Sequence, residues 1–260
     1  MKLVDTHTHL FSELFNEDRT QVVAQAIGQG VTKLFLPNIN VDTLNAMLKL
    51  HQDFPQHCYP MAGLHPCNVK EDYQKDLVFI EQWIADHSKH CFGIGETGLD
   101  YYWDKTYVEQ QKKSLRVHAK WAKEKDMPII LHTRDSFEDN ISIMEEEQDG
   151  RLRGIFHCFT GTVDEAHRVI DAGFLLGIGG VCTFKNSGKQ LRDTIEEIDL
   201  KHLVLETDSP YLAPHPNRGK RNESSFLPLI AQTVATVKGL ELKEIAKQTS
   251  KNAEKLFFGE

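Results

Sequence analysis

The chain has 260 residues, a formal net charge of −8, 40% hydrophobic residues and 26% charged residues. This length suits a single domain over residues 1–260, because α/β barrels take roughly 250 residues. The acidic balance argues against a broad basic surface that coats nucleic acid. Five cysteines without a CxxC pair, no leader and no membrane-length apolar run predict a cytoplasmic protein without a membrane partner. We expect a monomer.

Short apolar runs alternate with amphipathic stretches along the chain. The runs predict eight strands, at 3–4, 33–37, 59–64, 91–96, 128–132, 154–157, 174–178 and 203–206. The stretches predict helices at 18–29, 43–53, 77–87, 106–125, 136–147, 163–172 and 188–197, followed by 226–238 and 241–257. In the longest helix, Thr106 with Glu109 three residues on predicts a capping box.

This alternation predicts the fold class. Eight strand–helix units indicate an α/β fold whose parallel sheet closes into a (β/α)8 TIM-like barrel, with one or two extra C-terminal helices. An open, doubly wound sheet is the alternative. That fold would need a Gly-rich phosphate loop after the first strand, and the sequence has none there.

Polar residues stand at the predicted carboxyl ends of the strands. They are His7 and His9 after the first strand, His65 after the third, Glu96 and Asp100 at the fourth, His132 at the fifth, His157 at the sixth, and Glu206 and Asp208 at the eighth. Because these ends open on one face of a barrel, we expect the side chains to meet in one site. Packing alone gives no reason for such convergence.

The residue types at this face predict a metal centre. Histidine and carboxylate without thiolate suit Zn, Mn, Mg or Fe, and the candidates outnumber the ligands of one catalytic zinc. Two ions that share a bridging carboxylate would use them fully, and Glu96 is the best bridge by position. Cys158 should point at the helical layer, because adjacent strand residues face opposite ways. We expect Cys67 not to be a ligand and Glu206 to support a ligand rather than bind.

Seven segments match one known family, in order and at similar spacing. They are DTHTHL (5–10), GLHP (63–66), GETGLDYY (95–102), LHTRD (131–135), FHCFTG (156–161), ETDSPYLAP (206–214) and RGKRNE (218–223). On these segments the chain resembles the TatD family of metal-dependent deoxyribonucleases, within the amidohydrolase-like metallohydrolases. The resemblance implies a TIM-like barrel with two divalent metal ions, Zn, Mg or Mn. It also implies hydrolysis of DNA phosphodiester bonds, often as a 3′-to-5′ exonuclease.

The resemblance also implies a ligand set. One metal would be held by His7, His9, Glu96 and Asp208, and the second by Glu96, His132 and His157. His65 would lie near the metals and the substrate phosphate, and in some members would help to hold a further ion. No ligand position is missing from this chain. The departures are small, such as Thr97 in place of the usual Ile or Val.

Catalysis would use a metal-activated water, with Asp208 orienting the water or taking its proton. Substrate contacts are expected from Arg134, whose guanidinium is a candidate to bind a phosphate oxygen. They are also expected from the cationic loop Arg218, Lys220 and Arg221, for which a solvated surface run is the alternative. Tyr101, Tyr102 and Trp103 either stack a terminal base or pack in the core. The expected substrate is DNA, as single strands or 3′ ends.

Other functions stay open at this point. A hydrolase of an amide, lactone or phosphoester could use the same barrel, although many such enzymes bridge their metals with a carbamylated lysine where this chain has Glu96. Fold alone does not decide between them. A non-catalytic metal-binding scaffold is a further alternative, which the full ligand set disfavours. RNA is also possible as substrate, because no feature that reads a 2′-hydroxyl is identifiable.

Overall fold

Eight parallel strands form the centre of the molecule, whose computed structural model describes residues 1–259. They are β1 (Leu3–Asp5), β2 (Val31–Pro37), β3 (Cys58–Met61), β4 (Ile94–Asp100), β5 (Ile129–Arg134), β6 (Gly154–Phe156), β7 (Phe174–Ile178) and β8 (Leu203–Leu205). Strands β1 to β3 pair in chain order, and so do strands β4 to β8. Every pair is parallel.

Two junctions close these strands into a barrel. Between β3 and β4, the Ala62 N–H donates to the Gly93 carbonyl at 3.0 Å. Between β8 and β1, the Thr6 N–H donates to the Leu205 carbonyl at 3.0 Å. Full closure leaves each strand with a neighbour on both sides. The predicted (β/α)8 barrel is therefore confirmed, and the open doubly wound alternative is wrong.

A buried side-chain contact strengthens the junction between the first and last strands. The Asp5 carboxylate accepts hydrogen bonds from the Thr207 N–H at 2.9 Å and from the Thr207 hydroxyl at 2.6 Å. Burial raises the pKa of Asp5 to about 7, and the hydrogen bonds from Thr207 only partly offset this rise. The contact fixes the ends of β1 and β8 side by side, where His7 and Asp208 follow.

Helices surround the barrel. They are α1 (Arg19–Gly28), α2 (Leu44–Asp53), α3 (Tyr73–Asp86), α4 (Val108–Lys125), α5 (Phe137–Glu147), α6 (Val163–Asp171), α7 (Lys189–Glu197), α8 (Leu227–Lys238) and α9 (Leu242–Phe258). Each strand is followed by one helix, and α9 is the extra C-terminal helix. Across residues 1–259, none of these helices has the length and apolar character needed to cross a membrane.

The predicted capping box at the start of α4 is wrong. The helix begins at Val108, and the residue before it, Tyr107, makes no side-chain cap. The Thr106 N–H instead donates to the Asp104 carboxylate at 2.8 Å. An aspartate that hydrogen-bonds the backbone two residues on favours a turn over a helix, which delays the helix start.

The barrel interior contains two layers of side chains. At three strands an apolar residue is followed two positions later by a polar one, which stands on the strand or directly after it. The pairs are Ile130 and His132 on β5, Ile155 on β6 with His157 after it, and Val204 on β8 with Glu206 after it. Residues two apart on a strand share a face, so each strand contributes to both layers. The apolar residues form a buried cluster with Val4, Phe35 and Met61. The polar residues lie above this cluster, at the carboxyl ends.

The last helix closes the opposite end of the barrel. Phe257 of α9 stacks on Phe35 of β2, with ring centroids 3.7 Å apart. Ala253 and Leu256 pack into the same cluster. The lower interior is therefore filled with apolar side chains, and the polar layer faces the open end.

Candidate active site and metal centre

A cavity of about 810 Å³ opens at the carboxyl ends of the strands. Its lining includes His9, His65, Glu96, His132, His157 and Asp208, together with Trp103, Arg134, Tyr211 and Leu212. His7 is fully buried, with its ring stacked on that of His157 at 3.6 Å. The structure thus brings all six residues predicted as metal ligands, and His65, to one place.

Four donor atoms form the first cluster. His7 Nε2 lies 3.2 Å from His9 Nε2 and 3.2 Å from Glu96 Oε2. Asp208 Oδ1 lies 3.7 Å from His7 Nε2 and 3.5 Å from His9 Nε2. Donors held about 2.1 Å from one tetrahedral centre are separated by about 3.4 Å. The four atoms therefore have the spacing of a coordination shell.

The other oxygen of Glu96 faces a second cluster. Glu96 Oε1 lies 3.0 Å from His132 Nδ1, 3.3 Å from His157 Nε2 and 3.4 Å from His65 Nε2. Gly98, with φ 136°, pairs with His132, and a Cβ there would lie 2.1 Å from the His132 carbonyl oxygen. Only glycine allows the two strands this close approach. Since Oε2 of Glu96 faces the first cluster and Oε1 faces the second, this one carboxylate joins both clusters.

The charges at the site favour bound cations. Burial would raise the pKa of Glu96, but the nearby imidazoles of His65 and His7 outweigh it and hold the pKa well below its usual value. Burial lowers the pKa of His9, but hydrogen bonds with Asp208 and Glu96 outweigh burial and raise it to about 9. The carboxylates are thus ionised among nitrogen donors. Divalent cations would replace the protons that these groups otherwise share.

Unpartnered polar atoms add to this picture. Among residues 1–259, His7 Nδ1 and Glu206 Oε2 are buried and have no hydrogen-bond partner. Unpaired buried polar atoms are rare and usually indicate a role or a missing ion. His7, His157 and Glu206 also have donor atoms within 4.8 Å of one another. Together with the donor set of imidazole and carboxylate, these features fit a divalent-metal centre.

Two of the three histidines in the second cluster pair with a further carboxylate on the side of the ring away from Glu96. His157 Nδ1 lies 3.1 Å from Glu206 Oε1, and His132 Nε2 lies 2.9 Å from Asp100 Oδ2. Such partners orient a ligating ring and increase its basicity. The sequence predicted a supporting role for Glu206, and the structure places it in that position. It gave Asp100 a place on this face but no role, because nothing local indicates which histidine it meets.

His65 has a different arrangement. The Cys67 N–H donates to His65 Nδ1 at 3.1 Å, so Nδ1 presents its lone pair and the proton of the neutral ring is on Nε2. Burial lowers the pKa of His65, which favours the neutral ring. His65 Nε2 is close enough to Glu96 and His132 to bind an ion with them. A protonated Nε2 is instead a hydrogen-bond donor, which suits a phosphate oxygen.

Cys158 lines the cavity, so the prediction that it faces the helices is wrong. Strand β6 ends at Phe156, and Cys158 has φ 48°, which breaks the strand alternation. Burial raises the pKa of the Cys158 thiol to about 12, and it raises the pKa of Cys67 to about 12 as well. Among the described residues, the groups of side chains placed to hold an ion contain histidine and glutamate and neither of these cysteines.

The cationic loop predicted to contact DNA does not line the cavity. The guanidinium of Arg221 forms ion pairs with Asp18 at 2.6 Å and Glu223 at 2.9 Å. Arg218 lies over the Phe184 ring at 3.9 Å, and Lys220 is also outside the lining. Arg221 therefore ties the loop to the start of α1. The sequence did not suggest this pair, because its partners are 203 positions apart.

The three aromatic residues after β4 have different positions. The Tyr101 hydroxyl donates to the Asp139 carboxylate at 2.7 Å, and the ring packs against the core. Trp103 is 68% exposed and lines the cavity. Tyr102 is exposed beside it, under the guanidinium of Arg134 at 3.8 Å. Tyr101 is therefore a packing residue, and its two neighbours face solvent.

The fold and site together define a class. A (β/α)8 barrel with histidines and carboxylates gathered at the carboxyl ends of its strands is the architecture of barrel metallohydrolases. The chain belongs to the TatD family: the family profile described as TatD related DNase matches residues 4–258. The resemblance seen in the sequence is thereby confirmed, and with it membership of a family of metal-dependent hydrolases.

Two curated relatives and one solved structure indicate how close these similarities are. The uncharacterized metal-dependent hydrolase YabD of Bacillus subtilis is 37% identical over 255 residues, which cover 98% of each chain. The 3′-5′ ssDNA/RNA exonuclease TatD of Erwinia tasmaniensis is 32% identical over 259 residues, 98% of this chain and 99% of that one. The crystal structure of YjjV, a TatD homolog from Escherichia coli, superposes with a TM-score of 0.92 at 27% identity, covering 98% and 97% of the two chains.

Proposed function

We propose that the protein is a divalent-metal-dependent deoxyribonuclease that hydrolyses phosphodiester bonds from the 3′ ends of single strands. The observation that carries this proposal is the position of Glu96, whose two oxygens face two separate clusters of imidazoles. Pairs of ions held by one carboxylate suit displacement at phosphorus, because one ion can serve each of the two reacting oxygens. The name of the Erwinia relative, a 3′-5′ ssDNA/RNA exonuclease, supports the substrate class and the polarity.

Two divalent ions, Zn, Mg or Mn, fit the two clusters. His7, His9, Glu96 and Asp208 would hold one ion, and Glu96, His132 and His157 would hold the other. When bound, such ions supply Lewis-acid activation of a water and offset negative charge at the phosphate. The pairing of Glu206 with His157 and of Asp100 with His132 prepares both rings for this task.

Asp208 is suited to manage the attacking water. Burial would raise its pKa, but the hydrogen bond with His9 and the charge of His157 outweigh burial and lower it, so the carboxylate is ionised at neutral pH. Its φ of 56° is a strained conformation for a non-glycine residue, of the kind that concentrates at functional sites. The side chain remains 14% exposed and lines the cavity. It can therefore orient a water and accept its proton.

His65 and Arg134 are suited to bind the phosphate. The protonated Nε2 of His65 can donate to a non-bridging or leaving oxygen. Arg134 stands on β5 two residues beyond His132 and lines the cavity. Arg218 and Lys220, outside the cavity, remain candidates for phosphates farther along a strand. Glu96 itself is only 2% exposed at the base of the site, which favours a single-strand end over an intact duplex.

Digestion of end-labelled oligonucleotides tests this proposal. A single strand labelled at its 5′ end should shorten in single-nucleotide steps when Mg, Mn or Zn is added. A duplex of the same sequence should be cut more slowly, and the matching RNA strand shows whether the sugar matters. A lactone and a dipeptide panel serve as substrates for the rival hydrolase classes. Hydrolysis of those substrates without cleavage of DNA would contradict the proposal.

A further inference from the structure

We propose that Trp103, Arg134 and Tyr102 form a nucleotide subsite that binds one unpaired base and its phosphate beside the metal clusters. The proposal rests on the nuclease function proposed above and adds the feature of the substrate that this site reads. That feature is the flat face of a base that has left the duplex. Neither the barrel nor the metal ligands require an exposed tryptophan at this position.

Trp103 has the exposure and surroundings of a stacking residue. Its ring is 68% exposed and lines the cavity, whereas the other two tryptophans, Trp83 and Trp121, are buried. Tyr211 and Leu212 are exposed at the same cavity, and exposed apolar groups gathered around a polar site are typical of ligand-binding surfaces. Aromatic side chains bind single-stranded nucleic acid by stacking on bases, and any base can serve.

The position of Trp103 is fixed relative to the second cluster. Asp100 Oδ1 accepts the N–H groups of Tyr102 at 3.0 Å and Trp103 at 3.1 Å. The other oxygen of Asp100 lies 2.9 Å from Nε2 of His132. One buried carboxylate therefore sets the distance between the aromatic pair and a candidate metal ligand. A base stacked on Trp103 would place its own phosphate near that cluster.

Arg134 supplies the charge that this subsite needs. Its guanidinium lies 3.8 Å from the Tyr102 ring centroid and 5.3 Å from that of Trp103. In the described part of the chain, Arg134 is not among the arginines that form ion pairs, although the protein carries a net charge of −8. A guanidinium held on an aromatic face keeps its planar fork available for a phosphate. Tyr102 thus positions Arg134.

The opposite rim limits what can enter. Tyr211 and Leu212 follow β8, are exposed and also line the cavity. Strands β4 and β8 are four apart in the eight-stranded barrel, so the two sets of residues face each other across its mouth. The cavity holds about 810 Å³, and a paired base would bring its complement and the second backbone into this same space. The subsite therefore selects unpaired ends.

Tryptophan fluorescence tests the stacking directly, without turnover. Titration of the metal-loaded protein with a phosphorothioate pentathymidylate, which resists hydrolysis, should quench the emission of the one exposed tryptophan. Trp103→Phe should abolish the quenching. The matched control is Phe79→Ala, which removes an exposed aromatic ring of α3 outside the cavity and should leave the quenching unchanged. Equal quenching in wild type and Trp103→Phe would overturn the proposal.

A comparison of substrates separates stacking from a structural effect. Trp103→Ala should raise KM for a normal single strand on the order of tenfold, from loss of one stacked base. A strand with an abasic residue at its terminal or penultimate position should show a similar loss in the wild type, and Trp103→Ala should add little to it. Equal effects of Trp103→Ala on both strands would contradict stacking.

The role of the Arg134 charge is tested by the same comparison of normal and abasic strands. Arg134→Ala should weaken binding of normal and abasic strands alike, because it removes a phosphate contact, and Arg134→Lys should restore only part of it. Unchanged binding in Arg134→Ala would remove Arg134 from the subsite. Quenching that depends on Trp103 without any DNA cleavage would disprove the nuclease function and leave the subsite. DNA cleavage with no dependence on Trp103 would support the nuclease function and disprove the subsite.

Discussion

Glu206 holds the ring of His157 through one carboxylate oxygen, 3.1 Å from Nδ1, while its other oxygen is buried without a partner. Gly177 provides the space, since a Cβ there would lie 2.4 Å from the unpartnered oxygen. Burial opposes a charge on His157, but the carboxylates of Glu206 and Glu96 outweigh burial and raise the pKa of His157 well above its usual value. The same negative charge would strengthen His157 as a ligand.

Glu206→Gln should therefore weaken metal binding at the second cluster by about 10-fold to 100-fold, the usual effect of losing such a supporting group. Isothermal titration of the metal-free protein with Mn or Zn would measure it. Glu223→Gln, which removes a carboxylate that pairs with Arg221, is the matched control and should bind normally. Unchanged affinity in Glu206→Gln would show that His157 needs no such partner.

Loss of a carboxylate that would bind metal directly should have a larger effect than loss of Glu206. Glu96→Ala and Asp208→Ala should each reduce the proposed nuclease activity by roughly a thousandfold or more, because catalysis in such sites depends mainly on electrostatic stabilisation by fixed charges. Circular dichroism should show an intact fold, because neither side chain belongs to the apolar core. Metal content per chain, measured by mass spectrometry, should fall for Glu96→Ala. Near-normal turnover in either variant would remove the two-ion proposal.

Removal of metal by a chelator should inhibit hydrolysis reversibly. EDTA should abolish hydrolysis, and excess Mg, Mn or Zn should restore it. The same ions should raise the melting temperature, because a ligand at 100 times its Kd stabilises the folded state by about 2.7 kcal/mol. Calorimetry with and without EDTA would measure this. Full activity in the presence of chelator, or the same melting temperature with and without metal, would contradict the metal centre.

His118 should make stability depend on pH. The Leu64 N–H donates to His118 Nε2 at 3.0 Å, and His118 Nδ1 donates to the Ser114 carbonyl at 2.7 Å. Burial lowers the pKa of His118 to about 4. The unfolded chain takes up this proton below about pH 6.5, whereas the folded chain resists until about pH 4. The stabilisation is therefore complete above pH 6.5 and is lost as the pH falls through that range.

His118→Gln tests this, because glutamine keeps an acceptor for Leu64 and does not titrate. Between pH 7 and pH 5 the free energy of unfolding should fall by about 2 kcal/mol less in the variant than in the wild type. Urea denaturation at both pH values would measure the difference. Identical falls in the two proteins would show that His118 is not the responsible group.

The sequence predicted the barrel and the meeting of its polar residues for a physical reason. Strand and helix periodicities are local properties, and parallel closure brings all carboxyl ends to one face. That rule alone placed His7, Glu96, His157 and Asp208 together, although they are spread over 202 residues. The exact bounds were less predictable, as in α3, which begins at Tyr73 rather than at 77.

Contacts between loops were beyond prediction, because they depend on side-chain geometry after closure. Nothing local pairs Arg221 with Asp18, so a cation expected at DNA is used to anchor a loop. The turn that directs Cys158 into the cavity depends on one positive φ. The proton position on His65 depends on a backbone N–H two residues away. Each is a single contact with no periodic signal.

The link between Asp5 and Thr207 joins residues 202 positions apart. A polypeptide still emerging from the ribosome, or one ended by a premature stop codon before β8, would contain His7 and His9 but not Asp208. Such a fragment lacks both the complete first cluster and the hydrogen bonds between Asp5 and Thr207 that align it. The proposed nuclease activity would therefore arise only after β8 has been synthesised, and truncated products would be inactive.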